Sequence, residues 1–281
     1  MITIEDILKQ AGALLAQEHI PDAGLDAWYL MEYCFGIDRR AYLMNPRRPA
    51  DEALSRRYLE LIERRRKHVP LQYITGEQEF MGLTFRVDEN VLIPRQDTEL
   101  LVEEVLGSVR GKRVLDMCTG SGCIIISLAV LGQPAEAWGV DISAKALDVA
   151  AANAAANSTD VRLVQSDLFD NIEGRFDIIV SNPPYIETHV LQELMEEVKG
   201  YEPVLALDGK EDGLYFYKRI IEQAEMHIND GGAIFFEIGY NQGEQVKTML
   251  EDSGNADTAV IKDLNGLDRV VKGRKRRSIN V

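Results

Sequence analysis

The chain of 281 residues has only three cysteines, Cys34, Cys118 and Cys123. They are odd in number and lack paired zinc-type spacing, which excludes a disulfide framework and points to a reduced, cytoplasmic protein. It has four histidines, His19, His68, His189 and His227, too scattered to suggest a metal cluster or an acid–base pair. No window approaches the roughly 18 consecutive apolar residues of a membrane span. The first ten residues carry acids and no continuous apolar run, so neither a signal peptide nor a membrane anchor is expected there. Positive charge is also short. Lys and Arg number 31 against 46 Asp and Glu, a formal net charge of −15, which disfavours broad phosphate-backbone binding. The two basic runs, Arg64-Arg65-Arg66-Lys67 and Lys272 to Arg277, read as a solvated helix face and a charged tail.

What is present is ordinary for a globular protein, 46% hydrophobic and 27% charged, and it changes character along the chain. The first part is helical. Thr3 and Asp6 form a capping-box pattern, and Ile4, Ile7, Leu8, Ala11, Leu14 and Leu15 recur at helical spacing. Asp22 is placed to cap a second helix that Gly36 stops, and a third spans about 50–67, ahead of Pro70. Residues 80–87 turn extended around Gly82, as in a hairpin. The expected division is a helical domain over 1–75, a hairpin linker over 76–94 and a second domain over 95–281.

Beyond Pro94 extended and helical patterns alternate. A helix over 97–109 precedes strands at 113–117, 135–142, 161–166, 176–181 and 233–238, with helices at 122–131, 144–157, 214–228 and 242–250 between them. A long polar loop follows residue 181, and 258–262 with 269–271 form a final, antiparallel pair. Such alternation implies an α/β fold, a mostly parallel sheet covered on both faces, with ligands at the carboxyl ends of its strands.

Two stretches lie at that edge. Val114 to Met117 runs into Cys118-Thr119-Gly120-Ser121-Gly122 and then a helix, and the next strand ends on Asp141. Glycines permit a tight turn and a close ligand, and a carboxylate at this offset can accept the hydroxyls of a ribose. A merely structural turn is the rival reading of the loop, and the pattern leaves NAD and S-adenosylmethionine both open. Asp167, after the third strand, reads equally as a contact to an adenine amine and as a helix cap.

The second stretch is Asn182-Pro183-Pro184-Tyr185, delivered by the strand Phe176 to Ser181. The prolines fix the backbone and leave carbonyl acceptors, Asn182 adds another acceptor, and Tyr185 adds an aromatic face. Together they form a mould for a planar –NH2, whose delocalised lone pair makes it a poor nucleophile unless it is oriented.

Asn182 to Tyr185 resembles the amino-methyltransferase signature of DNA adenine-N6, some RNA and protein glutamine-N5 enzymes. Further motifs are similar to one branch, the release-factor glutamine methyltransferases: Pro70-Leu71-Gln72-Tyr73-Ile74-Thr75-Gly76, Val91-Leu92-Ile93-Pro94-Arg95, Glu202-Pro203, Asp212-Gly213-Leu214, Glu237-Ile238-Gly239 and Asp268-Arg269. The resemblance covers nearly the whole chain. It implies a class I S-adenosylmethionine methyltransferase, with a Rossmann-like seven-stranded sheet, a linking β-hairpin and a small helical domain that docks the substrate. The implied activity is methyl transfer to the glutamine amide of the Gly-Gly-Gln motif of class 1 peptide chain release factors, releasing S-adenosylhomocysteine. Carried over by position, Cys118, Thr119, Gly120, Ser121, Gly122 and Asp141 hold the cofactor, with Phe169 beside it. Asn182 faces cofactor and glutamine, and Pro183, Pro184 and Tyr185 complete the acceptor pocket. The expected partner is a release factor, with the enzyme a monomer. An adenine-N6 methyltransferase is the alternative, against which the acidic balance and the lack of a duplex-reading domain count. The chain departs from the family pattern at Cys118 and Lys210, which stand for usual glycines, and at Gln96 and Asp97. The basic stretch after Val271 is also atypical.

Overall fold

The computed structural model describes residues 2–277, which form two compact units. No helix among them is long and apolar enough to cross a membrane. The first unit comprises Met1–Gly76 and Met195–Tyr201. It is built on α1 (Ile4–Gln17), α2 (Ala23–Phe35), α3 (Arg39–Met44), α4 (Glu52–Arg66) and α5 (Leu71–Thr75). Thr3 and Asp6 close a reciprocal capping box on α1. Asp22 does stand at the N-cap of α2, yet its side chain makes no capping bond; Gly36, in the left-handed region at φ 62°, ends the helix as its sequence position suggests. Short α3 and α5 escape the periodicity because five or six residues complete too few turns to show one. The core gathers Ile4, Ile7, Leu15, Leu30, Met31 and Ile62 around Tyr58, whose hydroxyl donates to the Ala27 carbonyl at 2.9 Å.

One basic residue in α4 departs from the expected solvated face. Arg65 is buried, 2.7 Å from Asp26 Oδ2 and 2.6 Å from Glu197 Oε2. The helical repeat turns it inward between its exposed neighbours Arg64 and Lys67, beyond what a run of like charges reveals.

The second unit, Glu77–Leu194 with Glu202–Val281, begins with a hairpin of β1 (Glu77–Phe80) and β2 (Leu83–Arg86). Met81 and Gly82 both have positive φ, the geometry that matches strand twist in a two-residue turn. Then follow α6 (Asp97–Leu106), β3 (Arg113–Met117), α7 (Cys123–Gly132), β4 (Glu136–Asp141), α8 (Ala144–Ala156), β5 (Arg162–Gln165) and β6 (Phe176–Ser181). The polar segment after β6 contains α9 (Glu196–Tyr201, part of the first unit) between two short 3-10 turns, and is therefore more structured than the loop expected there. The chain ends with α10 (Tyr215–His227), β7 (Ile228–Glu237), α11 (Gly243–Asp252), β8 (Asn255–Lys262) and β9 (Asp268–Lys275).

The seven strands run β5-β4-β3-β6-β7-β9-β8, parallel except for β9. Alternation builds a core on each face: Leu115, Ile179 and Phe236 pack on one side, Val114, Ile178, Val180 and Phe235 on the other. The run Lys272 to Arg277 is not a free tail. Its first four residues belong to β9, where Lys272 pairs with Glu104 at 2.9 Å and Lys275 donates to the Glu225 carbonyl at 2.8 Å. The winding reverses between β3 and β6, which places a crevice at their carboxyl ends.

Candidate active site

The loop leaving β3 is tightly wound. Cys118, Gly120 and Gly122 have φ of 62°, 55° and 79°. At Gly122 a Cβ would lie 2.8 Å from Ile126 Cδ1 and 3.2 Å from Ala150 Cβ, so helix packing and backbone conformation both demand glycine. Thr119 and Ser121 face inward, and the Thr119 hydroxyl donates to Asp116 Oδ2 at 2.6 Å. Burial pushes the Asp116 carboxyl up to about 7. Asp141, at the tip of β4, accepts the Gly120 N–H on Oδ2 and the Ser143 N–H on Oδ1, both at 2.9 Å. It remains half-exposed, with its carboxyl raised above the usual range by burial.

A cavity of about 300 Å³ opens here. Cys118, Gly120, Asp141, Leu168, Asn182 and Pro184 line it, together with Leu92, Pro203, Leu205, Tyr215 and Phe216. Apolar walls with a few convergent polar groups suit a small organic ligand. The Asp141 carboxylate and the glycine-rich backbone beside it fit an adenosine-bearing cofactor. Of the residues expected at the cofactor, Thr119, Ser121 and Gly122 shape the loop from behind rather than lining the cavity. Phe169, expected beside the cofactor, is buried with its ring 4.7 Å from that of His227, and its neighbour Leu168 lines the cavity. The positive φ of Leu168 redirects the chain at that point, a turn that hydropathy does not disclose. Asp167 also lines the cavity but caps no helix; it is held by Arg219 through contacts of 3.0 and 3.2 Å.

Asn182 follows β6 directly, half-buried, with Nδ2 donating to Thr98 Oγ1 at 3.4 Å. Pro183 is buried, and the half-buried Tyr185 donates its hydroxyl to Glu237 Oε1 at 3.4 Å; neither lines the cavity. Burial holds the Tyr185 phenol above its ordinary value and pushes the Glu237 carboxyl up to about 7. Gln242 clamps the motif, donating to the carbonyls of Tyr185 at 3.1 Å and Gly213 at 3.3 Å while accepting the Gly239 N–H. Gly213, at φ 67°, leaves no room: its Cβ would strike the Tyr185 carbonyl and sit 2.6 Å from Gln242 Nε2. Arg95 pairs with Glu202 at 2.5 Å, and Arg269 with Asp97 at 3.0 Å. Motifs far apart in sequence thus converge on Asn182 to Tyr185. Thr98, Gln242 and Arg219 carried no signal of their own, because a single polar residue beginning or facing from a helix has many structural uses.

This strand order, with the glycine loop after β3 and Asn-Pro-Pro-Tyr after β6, defines a class I S-adenosylmethionine-dependent methyltransferase. A methyltransferase from Pyrococcus furiosus shares the fold at a TM-score of 0.52 and 18% identity, over 69% of this chain and 90% of that one. Residues 6–76 match the PrmC N-terminal domain and 95–201 the methyltransferase small domain. The release factor glutamine methyltransferase of Geobacter sulfurreducens is 42% identical over 97% of this chain and 96% of its own. That of Clostridium botulinum is 40% identical, over 97% and 99%. The chain belongs to the release factor glutamine methyltransferase family.

Proposed function

We propose that this enzyme transfers a methyl group from S-adenosylmethionine to the side-chain amide nitrogen of the glutamine in the Gly-Gly-Gln motif of a class 1 peptide chain release factor. The observation that carries the reading is one cavity lined by Asp141 together with Asn182 and Pro184 of the Asn-Pro-Pro-Tyr motif, in a chain related to this family over 97% of its length.

Asp141 would accept the ribose hydroxyls, while Cys118 to Gly122 present a close backbone and Leu168 an apolar wall to the nucleoside. The bound cofactor supplies an activated methyl group. Asn182 Oδ1 and the Pro183 carbonyl accept the two amide hydrogens of the glutamine, and Tyr185 holds that corner of the mould in place. Fixing both N–H bonds favours pyramidalisation and aims the lone pair at the methyl carbon. The N–C bond would form as the methyl's bond to sulfur breaks and the surplus amide proton leaves to solvent, so orientation rather than a strong base supplies the rate. Leu25, Tyr29 and Tyr33, exposed at four-residue spacing on α2, support assigning substrate docking to the helical unit.

The test is mass spectrometry of release factor incubated with enzyme and S-adenosylmethionine, with DNA and ribosomal RNA offered in parallel. The expected result is a gain of one CH2 on the loop glutamine, absent when that residue is asparagine or glutamate. Asparagine holds its nitrogen off the attack line, where a 1 Å error costs about a hundredfold. Methylation of adenine with the release factor untouched contradicts the proposal.

A further inference from the structure

An amide side chain is nearly symmetric in shape but opposite in chemistry at its two ends, so a site that uses its oxygen must dictate which end points where. Asn182 presents that problem. Its Nδ2 is directed at Thr98 Oγ1, which turns Oδ1 to the opposite side of the amide. A threonine hydroxyl has a single proton. If Thr98 accepts from Asn182, its proton is free for another acceptor, and the Thr98 hydroxyl lies near enough to the Glu237 carboxylate to favour its ionised form. Thr98 and Glu237 are 2% and 1% exposed, so water does not substitute for either. The same carboxylate receives the Tyr185 hydroxyl, and Glu237 Oε2 has no regular hydrogen bond of its own. β6 and β7 pair in parallel with Ser181 opposite Phe236, which brings Glu237 beside Asn182.

We propose that Glu237 and Thr98 are positioning residues that fix the side-chain orientation of Asn182: the ionised carboxylate takes the threonine proton, the hydroxyl takes Nδ2, and Oδ1 is left to receive the substrate amide. The inference rests on the reading of Asn182 as the acceptor for the methylated nitrogen. Protonation reverses the chain. A neutral Glu237 donates to Thr98, Thr98 donates to Asn182 Oδ1, and the amide turns its Nδ2 toward the substrate's own N–H groups. Burial brings Glu237 to about 7, within the range where this exchange occurs. The groups that act on it are Arg269 from β9 and Asp97 from α6, with Thr98 and Tyr185, and Cys123 of α7 and Tyr217 of α10 sense its charge in turn.

The experiment combines kinetics with a readout independent of transfer. Single-turnover methylation of release factor is measured against pH for wild type, Thr98→Val, Thr98→Ser and Glu237→Gln. Separately, the Asn182 side-chain amide is followed by nitrogen NMR without substrate, its signal identified by its loss in Asn182→Ala. Thr98→Val is expected to slow transfer by about ten- to a hundredfold, and Thr98→Ser to restore it, with S-adenosylmethionine affinity changed little in both. The wild-type amide signal is expected to titrate together with the acid limb of the rate, and Glu237→Gln to abolish both. A wild-type rate in Thr98→Val, or an amide signal that titrates unchanged in Glu237→Gln, overturns the proposal. Should Glu237→Gln fail to fold, the valine and serine pair decides. If wild type methylates no release factor, the function reading fails, while the amide titration still tests the relay by itself.

Discussion

At the scale of single residues, Asp141 is engaged before any ligand arrives. Each oxygen holds one backbone N–H, from Gly120 and Ser143. A carboxylate offers about four lone-pair sites, so two remain for a ribose diol while the first two keep the loop wound. Asp141→Ala removes both functions. Cofactor affinity measured by calorimetry should fall by about 2–4 kcal/mol, and an unchanged Kd in a folded variant contradicts the assignment. Because burial raises this carboxyl above the usual aspartate range, binding should also weaken at a higher pH than an exposed aspartate would give. Two of the family departures read in the sequence have a common physical character. Cys118 and Lys210, where the resemblance implies glycine, both sit in the left-handed region, at φ 62° and 72°. Each stores roughly 1 kcal/mol or more of strain, and both residues lie at the cavity.

At the scale of elements, the acceptor mould is held by what packs behind it rather than by β6 alone. Gly213→Ala would place a methyl group against the Tyr185 carbonyl and the Gln242 amide on a left-handed backbone. Transfer should slow by about a hundredfold, as for a displacement near 1 Å, while S-adenosylmethionine binding, which the proposal centres on Asp141, changes much less. Equal losses in both measurements would show that the glycine serves folding in general. In the helical unit, Arg65→Met should cost about 3–5 kcal/mol, because it leaves the buried Asp26 carboxylate unpaired. The double variant with Asp26→Leu should recover most of that, read by unfolding through Trp28 fluorescence.

These elements also mark how far the sequence was legible. The capping box on α1, the hairpin, the glycine loop, Asp141 and the Asn-Pro-Pro-Tyr stretch could be read because each is a local pattern tied to a local geometry. Thr98, Gln242 and the buried pairing of Arg65 could not, since each acquires its meaning from a partner 39 to 84 residues away. Whether the first or the second residue after Asp167 faces the cavity depends on one positive φ at Leu168.

At the scale of the whole chain, the sheet is legible because its strands are apolar on both faces, a property that only a covered parallel sheet requires. Covering both faces also buries acids at the carboxyl edge, and this should appear in the stability of the second unit. Asp116 and Glu237 are both pushed up to about 7 by burial, from ordinary carboxylate values near 4. Between these values the folded state binds more protons than the unfolded state, so stability falls as pH rises. The contribution is complete below about pH 4 and lost as pH passes through about 7. Asp208, Asp212 and Asp263, held below the usual range by hydrogen bonds and nearby cations, act in the opposite sense, but only in more acidic solution. From pH 5 to 8 the buried pair should dominate, reducing stability by on the order of 5 kcal/mol, about half from each group. Trp138 is buried in this unit and Trp28 in the other, so urea unfolding of a Trp28→Phe background reports the second unit through Trp138 alone. Asp116→Asn, which cannot ionise, should flatten roughly half of the slope and leave the rest to Glu237. Stability that rises from pH 5 to 8, or a slope indifferent to Asp116→Asn, would mean that these carboxylates titrate near their ordinary values and that the site's edge is wetter than its geometry implies.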